Sequence, residues 1–256
     1  NFVTDNFEIT PKAITLTAPT VTKAYDGLTT FTVTATNLTS IGSGLVSGDT
    51  VTAATISFAD KNVATGKTVT LSDVTVSDGN SGNNYTVTLA GNSSSSITRQ
   101  TSVTWIGGAT GQWFDPANWA VTGNLSVAGA VPDLSNVSAV VIGSGNTAAF
   151  NDSVAGRTGV AQTGAVSVTT ISGGGSLTVT AGDLSATSIN VVQLNTSAGT
   201  SITTSSGITV APEVGTTDAI AGTLAGNGSF TKNGAGTQTL SGSNTYAGTS
   251  TINSGT

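Results

Sequence analysis

Three aspartates, Asp152, Asp183 and Asp218, are the best candidates in this sequence for a hydrolytic site. Pairs of carboxylates cleave glycosidic bonds when one acts as acid and the other as base or nucleophile. The chain has no histidine, which excludes a Ser-His-Asp triad, and no cysteine, which excludes thiolate chemistry. We therefore expect no enzyme, and a β-helix polysaccharide hydrolase or lyase built on these aspartates is the alternative.

A second group of oxygen-bearing side chains, Asp73, Asp78 and Asn80, lies on a short segment that could supply ligands to Ca²⁺. Its spacing is neither that of an EF-hand nor that of a calcium-binding nonapeptide repeat. Turns rich in Asp and Asn form without any metal, because their side chains bond to nearby backbone groups. We expect no cofactor, with calcium at these residues as the alternative.

The three tryptophans, Trp105, Trp113 and Trp119, lie close together in the sequence. Exposed aromatic rings stack on sugars, so these side chains could bind carbohydrate. A stacked β-structure also needs a cover over its first coil, and bulky aromatic residues could provide one. We favour the cover, because exposed apolar patches are a liability unless they are used.

The composition excludes several classes of protein. Only 8% of the residues are charged, and seven scattered basic residues cannot form the Lys/Arg footprint that nucleic-acid binding requires. No run of about 18 apolar residues is present, so we expect no transmembrane segment. With 33 glycines and a surface that must be made polar by Ser, Thr and Asn, the chain is typical of extended β-structure.

Strand-length runs with alternating apolar residues predict an all-β protein in four segments. Residues 1–12 are interpreted as the last strand of a preceding repeat, since Asn1-Phe2-Val3-Thr4 echoes Asn84-Tyr85-Thr86-Val87. Residues 13–98 predict a small antiparallel β-sandwich-like domain. Residues 99–136 form a Trp-rich cap or linker. Residues 137–256 predict a right-handed parallel β-helix, because strand-sized pieces recur there between glycine turns.

Residues 13–98 also carry an ordered set of short motifs. The motifs are Thr22-Lys23-Ala24-Tyr25-Asp26-Gly27, Val46-Ser47-Gly48-Asp49, Phe58-Ala59-Asp60-Lys61-Asn62-Val63, Gly66-Lys67 and Asn83-Asn84-Tyr85. In order and spacing they resemble the YDG repeat of large bacterial adhesins, which implies an extracellular stalk or adhesin module. We interpret Tyr25 as a core or edge aromatic residue, followed by a turn at Asp26 and Gly27.

The last stretch of the chain is punctuated by glycine, with single apolar residues between Thr, Ser and Asn. Residues 226–255 resemble the autotransporter-associated repeat, or passenger-associated transport repeat, of secreted β-helices from Gram-negative bacteria. The matching positions include Lys232, Gly234, Gly236, Leu240, Gly242, Asn244, Tyr246 and Gly248. The resemblance implies a role in export and folding, and an outer-membrane translocation pore as a partner during secretion.

Together these features predict a fragment of a secreted bacterial surface adhesin, located on the cell surface or in the extracellular matrix. It would project from the cell and contribute to cell-cell or cell-matrix attachment in biofilm, with polysaccharide or a neighbouring cell surface as its partner. Unpaired strand edges would also permit end-to-end self-association. The alternative is a structural stalk or spacer with no ligand of its own.

Overall fold

The computed structural model describes residues 10–153 and 165–256. Residues 1–12, predicted as the last strand of a preceding repeat, therefore lie largely outside the described residues. The chain divides into two compact units. The N-terminal unit extends to Lys23 and resumes over Thr29–Thr98. The parallel unit contains Arg99–Thr256 and also the short segment Ala24–Leu28. The two units are described separately below.

The N-terminal unit contains a 5-stranded sheet in the order β2-β7-β5-β4-β3 and a 2-stranded sheet of β1 and β6. Pairs β3–β4, β4–β5 and β5–β7 are antiparallel, whereas β1 and β6 are parallel. Its elements are β1 (Lys12–Thr17), β2 (Thr22–Ala24), β3 (Thr30–Phe31), α1 (Ala35–Ile41), a 3-10 turn (Gly42–Gly44), β4 (Thr50–Phe58), β5 (Ala64–Ser77), β6 (Tyr85–Ala90) and β7 (Asn92–Thr98).

Alternation along β4 and β5 builds the core of the N-terminal unit. Ile56 and Val69 are fully buried, and Phe58 is 3% exposed, while the residues between them face solvent or lie at the margin. Burying one such side chain contributes roughly 1.5–3 kcal/mol. Each inward residue therefore holds the two long strands against the rest of the unit.

Helix α1 is the one α-helix among the described residues, and its sequence carries a local start signal. The Thr34 side chain accepts a hydrogen bond from the backbone N–H of Asn37, and the Asn37 side chain accepts one from the Thr34 N–H. This reciprocal cap satisfies two donors that would otherwise be unpaired at the start of the helix. An all-strand interpretation of the segment did not include it.

The parallel unit is built from two sheets, a 10-stranded long sheet and a 6-stranded short sheet, between which the chain alternates. The long sheet has the order β11-β10-β8-β12-β14-β16-β18-β21-β23, with β20 also paired to β18, and the short sheet has the order β22-β19-β17-β15-β13-β9. The strands are β8 (Gln100–Trp105), β9 (Thr110–Gln112), β10 (Trp119–Val121), β11 (Asn124–Ala128), β12 (Val137–Val141), β13 (Thr147–Asn151), β14 (Val166–Ser172), β15 (Ser176–Ala181), β16 (Asp183–Val191), β17 (Gln193–Thr196), β18 (Ser201–Val210), β19 (Thr217–Ile220), β20 (Thr223–Ala225), β21 (Ser229–Lys232), β22 (Thr237–Leu240) and β23 (Ser250–Ile252), and a 3-10 turn covers Pro116–Asn118.

Equivalent inward residues of successive strands lie in register in the long sheet. Ile171 pairs with Ile189, Ile189 with Ile208 and Ile208 with Phe230, and all four are buried. Strands β10 and β11 are antiparallel to their neighbours. Strand β12 is parallel to β8 and β14, and the pairs β14–β16, β16–β18, β18–β20, β18–β21 and β21–β23 are also parallel. We call one passage of the chain through the long and the short sheet a coil. The core thus contains a column of apolar side chains, one from each successive coil.

The all-β class predicted from the sequence is confirmed, with α1 as the single short exception among the described residues. The N-terminal unit differs from a purely antiparallel sandwich, because β1 and β6 run parallel. Parallel pairing and alternation between two sheets are what a stacked solenoid needs. The right-handed parallel β-helix itself stays a prediction, as do the four segment boundaries.

Candidate functional site

The three tryptophans form a buried cluster in the parallel unit. Trp113 and Trp119 are fully buried, Trp105 is 3% exposed, and the Trp119 ring meets each of the other two edge-on at 5.0 Å between centroids. Phe150 continues the cluster, 5.4 Å from Trp113. Edge-to-face aromatic pairs add about 0.5–1.5 kcal/mol beyond the area they bury.

The indole N–H groups are also satisfied inside the protein. Trp105 donates to the Gly108 carbonyl at 2.8 Å, and Trp113 donates to the Pro132 carbonyl at 3.0 Å. The Trp119 N–H donates to the carbonyl of Trp113 itself. No ring face is left for a sugar, so the carbohydrate-binding interpretation of Trp105, Trp113 and Trp119 loses its premise, whereas burial agrees with a cover.

Asp78 organises a turn through its own carboxylate. Its oxygens accept hydrogen bonds from the backbone N–H groups of Asn80, Gly82 and Asn84 at 2.9, 2.7 and 3.0 Å. Partial burial works to raise the pKa of Asp78, but these donors outweigh it and hold the pKa below its ordinary value. Three backbone donors therefore hold the Asp78 carboxylate and shape the turn.

Asp73 lies apart from that turn, within β5, with a left-handed backbone at φ 51° and a hydrogen bond from the Ser72 hydroxyl. The Asn80 side chain donates to Asn84 rather than facing a shared centre. Across residues 10–153 and 165–256, no group of three or more His, Cys, Asp or Glu side chains could hold a metal ion. The geometry thus gives the calcium interpretation of Asp73, Asp78 and Asn80 no support.

The structure places two of the three candidate hydrolytic aspartates near each other and buries the third. Asp152 follows β13 and lies next to Gly182, the residue before Asp183. A Cβ placed on Gly182 would be only 2.4 Å from the Asp152 Cβ. Asp183 is exposed at the start of β16. Asp218 is only 3% exposed and faces the interior from β19, so it cannot meet a polymer substrate with the other two.

Tyr25, Asp26 and Gly27 serve a structural role within the parallel unit. Tyr25 is fully buried, and its hydroxyl donates to the Val131 carbonyl at 2.8 Å. Burial first, and then the nearby Asp133 carboxylate, raise the pKa of Tyr25 far above its ordinary value. A Cβ at Gly27, whose φ is +81°, would come within 1.9 Å of the Gly129 oxygen, so only glycine fits.

Asp26 completes this turn by accepting the Leu28 N–H at 2.9 Å. Asp133 and Asn136, which the sequence interpretation did not single out, are buried beside the tyrosine, with the Asn136 amide donating to Asp133 at 2.7 Å. The contact of Asp133 with Tyr25 has no local sequence signal, because the two residues are distant along the chain.

Lys232 is the most buried charged side chain of the C-terminal repeat, at 1% exposed. Its ammonium donates to the carbonyl of Gly234 in its own turn at 2.6 Å and to that of Ser254 in the next coil at 2.7 Å. Two backbone oxygens, rather than a carboxylate, therefore hold the charge. The lysine ties consecutive coils together.

The repeat's glycines lie against the backbone of the preceding coil. A Cβ would lie 2.1 Å from the Pro212 oxygen at Gly234, 2.2 Å from Glu213 at Gly236, 1.9 Å from Gly222 at Gly242 and 2.4 Å from Gly228 at Gly248. Contacts this short do not occur for real side chains, so these positions require glycine for close stacking.

The other matched positions of the repeat add one bond between turns and one local bond. The Asn244 side chain accepts the Leu224 N–H at 2.9 Å, and the hydroxyls of Tyr246 and Ser250 bond to each other at 2.5 Å. Leu240 is half-buried at the end of β22. The Asn244 bond joins residues 20 positions apart and so links two turns of the chain, whereas the Tyr246–Ser250 bond lies within one segment.

The outer side of the long sheet carries two shallow grooves of about 350 and 280 Å³. Rows of hydroxyl-bearing residues cross successive strands there, as in the register Ser167 to Ser185 to Thr203. The first groove is lined by Ser167, Val168, Ser185, Ala186, Thr187, Thr203, Thr204, Ser205, Gly226 and Asn227, and the second by Ser188, Ile189, Asn190, Ser206, Gly207, Ile208, Thr209, Ser229 and Thr231. Hydroxyls both donate and accept hydrogen bonds, so this surface can bind polar polymers without charge.

Comparisons with known protein families match two segments of the chain, one around the Tyr25 motif and one at the C-terminal repeat. Residues 10–95 match the YDG domain, and residues 230–256 match the passenger-associated-transport repeat. No curated protein and no solved structure matches the chain. Within the described parts of the chain, no helix is long and apolar enough to cross a membrane.

The passenger-associated-transport repeat is a mark of secreted autotransporter passengers, and the two matched segments lie on one chain with an all-β fold. The chain thus carries a YDG domain followed by a passenger-associated-transport repeat, as in a secreted autotransporter passenger.

Proposed function

We propose that this chain is part of a secreted bacterial surface adhesin that projects from a Gram-negative cell and contributes to cell-cell or cell-matrix attachment in biofilm. The observation that carries the proposal is the presence of both a YDG domain and a passenger-associated-transport repeat. Its place of action would be the cell surface or the extracellular matrix. It would meet an outer-membrane translocation pore only during secretion.

The hydroxyl-lined grooves of the long sheet supply the proposed contact surface. Both grooves are shallow and lined almost entirely by Ser, Thr, Asn and small residues, and no charged side chain lines either. Such a surface suits many weak hydrogen bonds, direct or through water, to the hydroxyls of a polysaccharide. Because each coil repeats the pattern, the contacts add along the stack.

The test is adhesion of beads that carry the full chain to bacterial exopolysaccharides, host glycans and bare surfaces. We expect saturable binding to at least one polysaccharide, lost on competition with one of its sugars. The double variant Thr187→Lys with Thr203→Lys places bulk on the groove and should weaken binding by roughly tenfold, which is about 1.4 kcal/mol. Thr239→Lys, on an exposed position of the short sheet, is the matched control.

A structural spacer is the second candidate, and the repeat's close stacking through Lys232 and Gly242 favours it. The same experiment separates the two functions. No binding at concentrations that would reveal a millimolar affinity would leave the spacer and reject the adhesin for this part of the chain. We propose no enzymatic activity, since interior burial removes Asp218 from the hydrolase alternative.

A further inference from the structure

Two polar side chains are buried next to each other inside the parallel unit. Asp218 of β19 is 3% exposed and Gln238 of β22 is 7% exposed. They are direct partners in the parallel register of these strands, and both face the interior. Their nearest inward neighbours along the strands are Ile220 and Leu240, so the surroundings offer little solvation.

One hydrogen-bond donor is missing around Asp218 and Gln238, because each side chain has a buried oxygen without a partner. Asp218 Oδ1 accepts from the Asn195 amide at 3.1 Å, while Asp218 Oδ2 is buried without a partner. The Gln238 amide nitrogen donates to the Leu194 carbonyl at 3.3 Å, while its Oε1 is buried without a partner. Buried polar atoms without partners are rare in folded proteins and call for an explanation.

A proton would supply that donor. An ionised carboxylate and an amide oxygen are both acceptors only, whereas a carboxylic acid also carries one O–H. Turning the Gln238 amide over would not help, because its oxygen would then face the Leu194 carbonyl, which also only accepts. A proton on Asp218 Oδ2 would give this pair the donor that both unpartnered oxygens lack.

The surrounding charges do not favour an ionised Asp218. The strands that pair with β19, namely β17 and β22, contain no Asp, Glu, Lys or Arg. In the long sheet, β18 and β20 contain none either, and Lys232 at the end of β21 gives its ammonium to the Gly234 and Ser254 carbonyls. Glu213, in the loop before β19, is exposed and of the same sign.

Burial therefore decides the protonation of this group. Loss of hydration raises the pKa of Asp218, and the hydrogen bond from Asn195 opposes that rise without cancelling it. The direction agrees with the geometry of the two unpaired oxygens. A group of this kind couples the folding of its surroundings to pH.

We propose that Asp218 is held in the fold as a neutral carboxylic acid that donates its proton to Gln238 Oε1, and that this makes the coil from β19 to β22 more stable in mild acid than at neutral pH. The proposal concerns the stability of the stack and is independent of the adhesive role. It gives the parallel unit a built-in response to pH.

The sign follows from linkage. The folded pKa of Asp218 is raised above its unfolded value of about 3.9, so the folded chain binds more protons than the unfolded chain between these two pKa values. The stabilisation is complete below the unfolded pKa and is lost as the pH rises through the folded pKa. Between the two pKa values, the equilibrium constant for folding falls by up to about tenfold for each unit of pH increase.

The experiment uses the full chain and follows urea unfolding by tryptophan fluorescence, since Trp105, Trp113 and Trp119 all lie in the parallel unit. For the wild type, we expect the unfolding midpoint to fall as the pH rises from 4 to 7. Asp218→Asn should flatten this dependence and be at least as stable as the wild type at pH 7, because its amide can donate to Gln238. Asp183→Asn, an exposed aspartate of the same unit, should follow the wild type.

Carbon-13 NMR of the aspartate carboxyl groups reads the same event directly. One resonance should titrate above the ordinary aspartate pKa of about 3.9, and Asn195→Ala should move its midpoint higher by removing the donor that favours ionisation. This variant assigns the signal even if Asp218→Asn does not fold. A midpoint at or below about 3.9 for this carboxyl would reject the proposal. So would stabilisation by added Na⁺ or Ca²⁺ at pH 7, which would place a cation between the two oxygens.

Discussion

Each unit of this molecule buries one lysine, and the two units neutralise it differently. In the N-terminal unit, Lys67 is 7% exposed and its ammonium pairs with the Asp60 carboxylate at 2.7 Å. In the parallel unit, Lys232 is 1% exposed and donates to the carbonyls of Gly234 and Ser254. The Lys67 ammonium is thus neutralised by a carboxylate, whereas the Lys232 ammonium is held by backbone carbonyls.

The difference follows from how each unit repeats its backbone. Lys67 belongs to β5, whose pairing with β7 shifts register on either side of this residue, and its ammonium meets the side-chain carboxylate of Asp60. In the parallel unit, turns of successive coils stack, and their carbonyls lie near one another at equivalent positions. A stacked fold can therefore hold a cation with the backbone that it already has.

The largest effect that tests this contrast is expected from closing the space between coils. Gly242→Ala would place a Cβ 1.9 Å from the Gly222 oxygen, and overpacking against rigid backbone should destabilise the parallel unit by about 3 kcal/mol. Urea unfolding followed by tryptophan fluorescence measures it. Gly143→Ala, whose Cβ would meet only the Asn146 side chain at 3.4 Å, is the control. Equal midpoints for the two variants would show that close backbone approach does not hold the stack.

A smaller loss is expected from removing the buried ammonium. Lys232→Met keeps the length of the side chain but leaves the Gly234 and Ser254 carbonyls without a donor, at a cost of about 2 kcal/mol. Because no second charge is involved, the loss should be the same at low and high salt. Lys12→Met, at an exposed position, should change nothing. A stability gain in the Lys232 variant would mean that desolvation of the ammonium outweighs its two hydrogen bonds.

The smallest effect is expected in the N-terminal unit. Asp60→Asn removes the charge that faces Lys67 and should cost about 1 kcal/mol, since Asp60 itself is 55% exposed and solvent screens the pair. The bond from Lys67 first, and the Asn62 N–H with it, lower the pKa of Asp60. The wild-type advantage should therefore be present above the unfolded pKa and be lost as the pH falls through the folded one.

Hydrogen exchange of β4 and β5 measures this change, because the N-terminal unit contains no tryptophan. The difference between Asp60→Asn and the wild type should shrink in 1 M salt, where the Debye length is about 3 Å. A difference that persists unchanged in salt would contradict the distinction drawn between the two lysines.

Much of the fold could be predicted from the sequence because its signals are local. Glycine turns and alternating apolar residues indicated the strands of the parallel unit, and the motif around Tyr25-Asp26-Gly27 indicated the YDG domain that the family comparison confirms. Helix α1 was missed because ATNLTSI has no apolar stripe, although Thr34 and Asn37 form a cap that a search for capping pairs would have found.

The buried polar side chains left a weaker trace. Asp218, Lys232 and Gln238 each lie two positions from an inward apolar residue on the same strand, so alternation places them inside. What alternation does not give is the partner, because Asn195 and Ser254 come from other coils. The tryptophans illustrate the same limit, since the Phe150 and Pro132 contacts depend on the packed coils.

The two carbonyls that hold Lys232 come from different points of the chain. Gly234 lies in the turn that directly follows β21, so the first bond can form as soon as that turn closes. The second requires Ser254, which arrives only with the next coil. If the stack formed in chain order, Lys232 would make one of its two hydrogen bonds until the next coil had formed. The bond to Ser254 would then hold the coil just completed in place while the following coil is added.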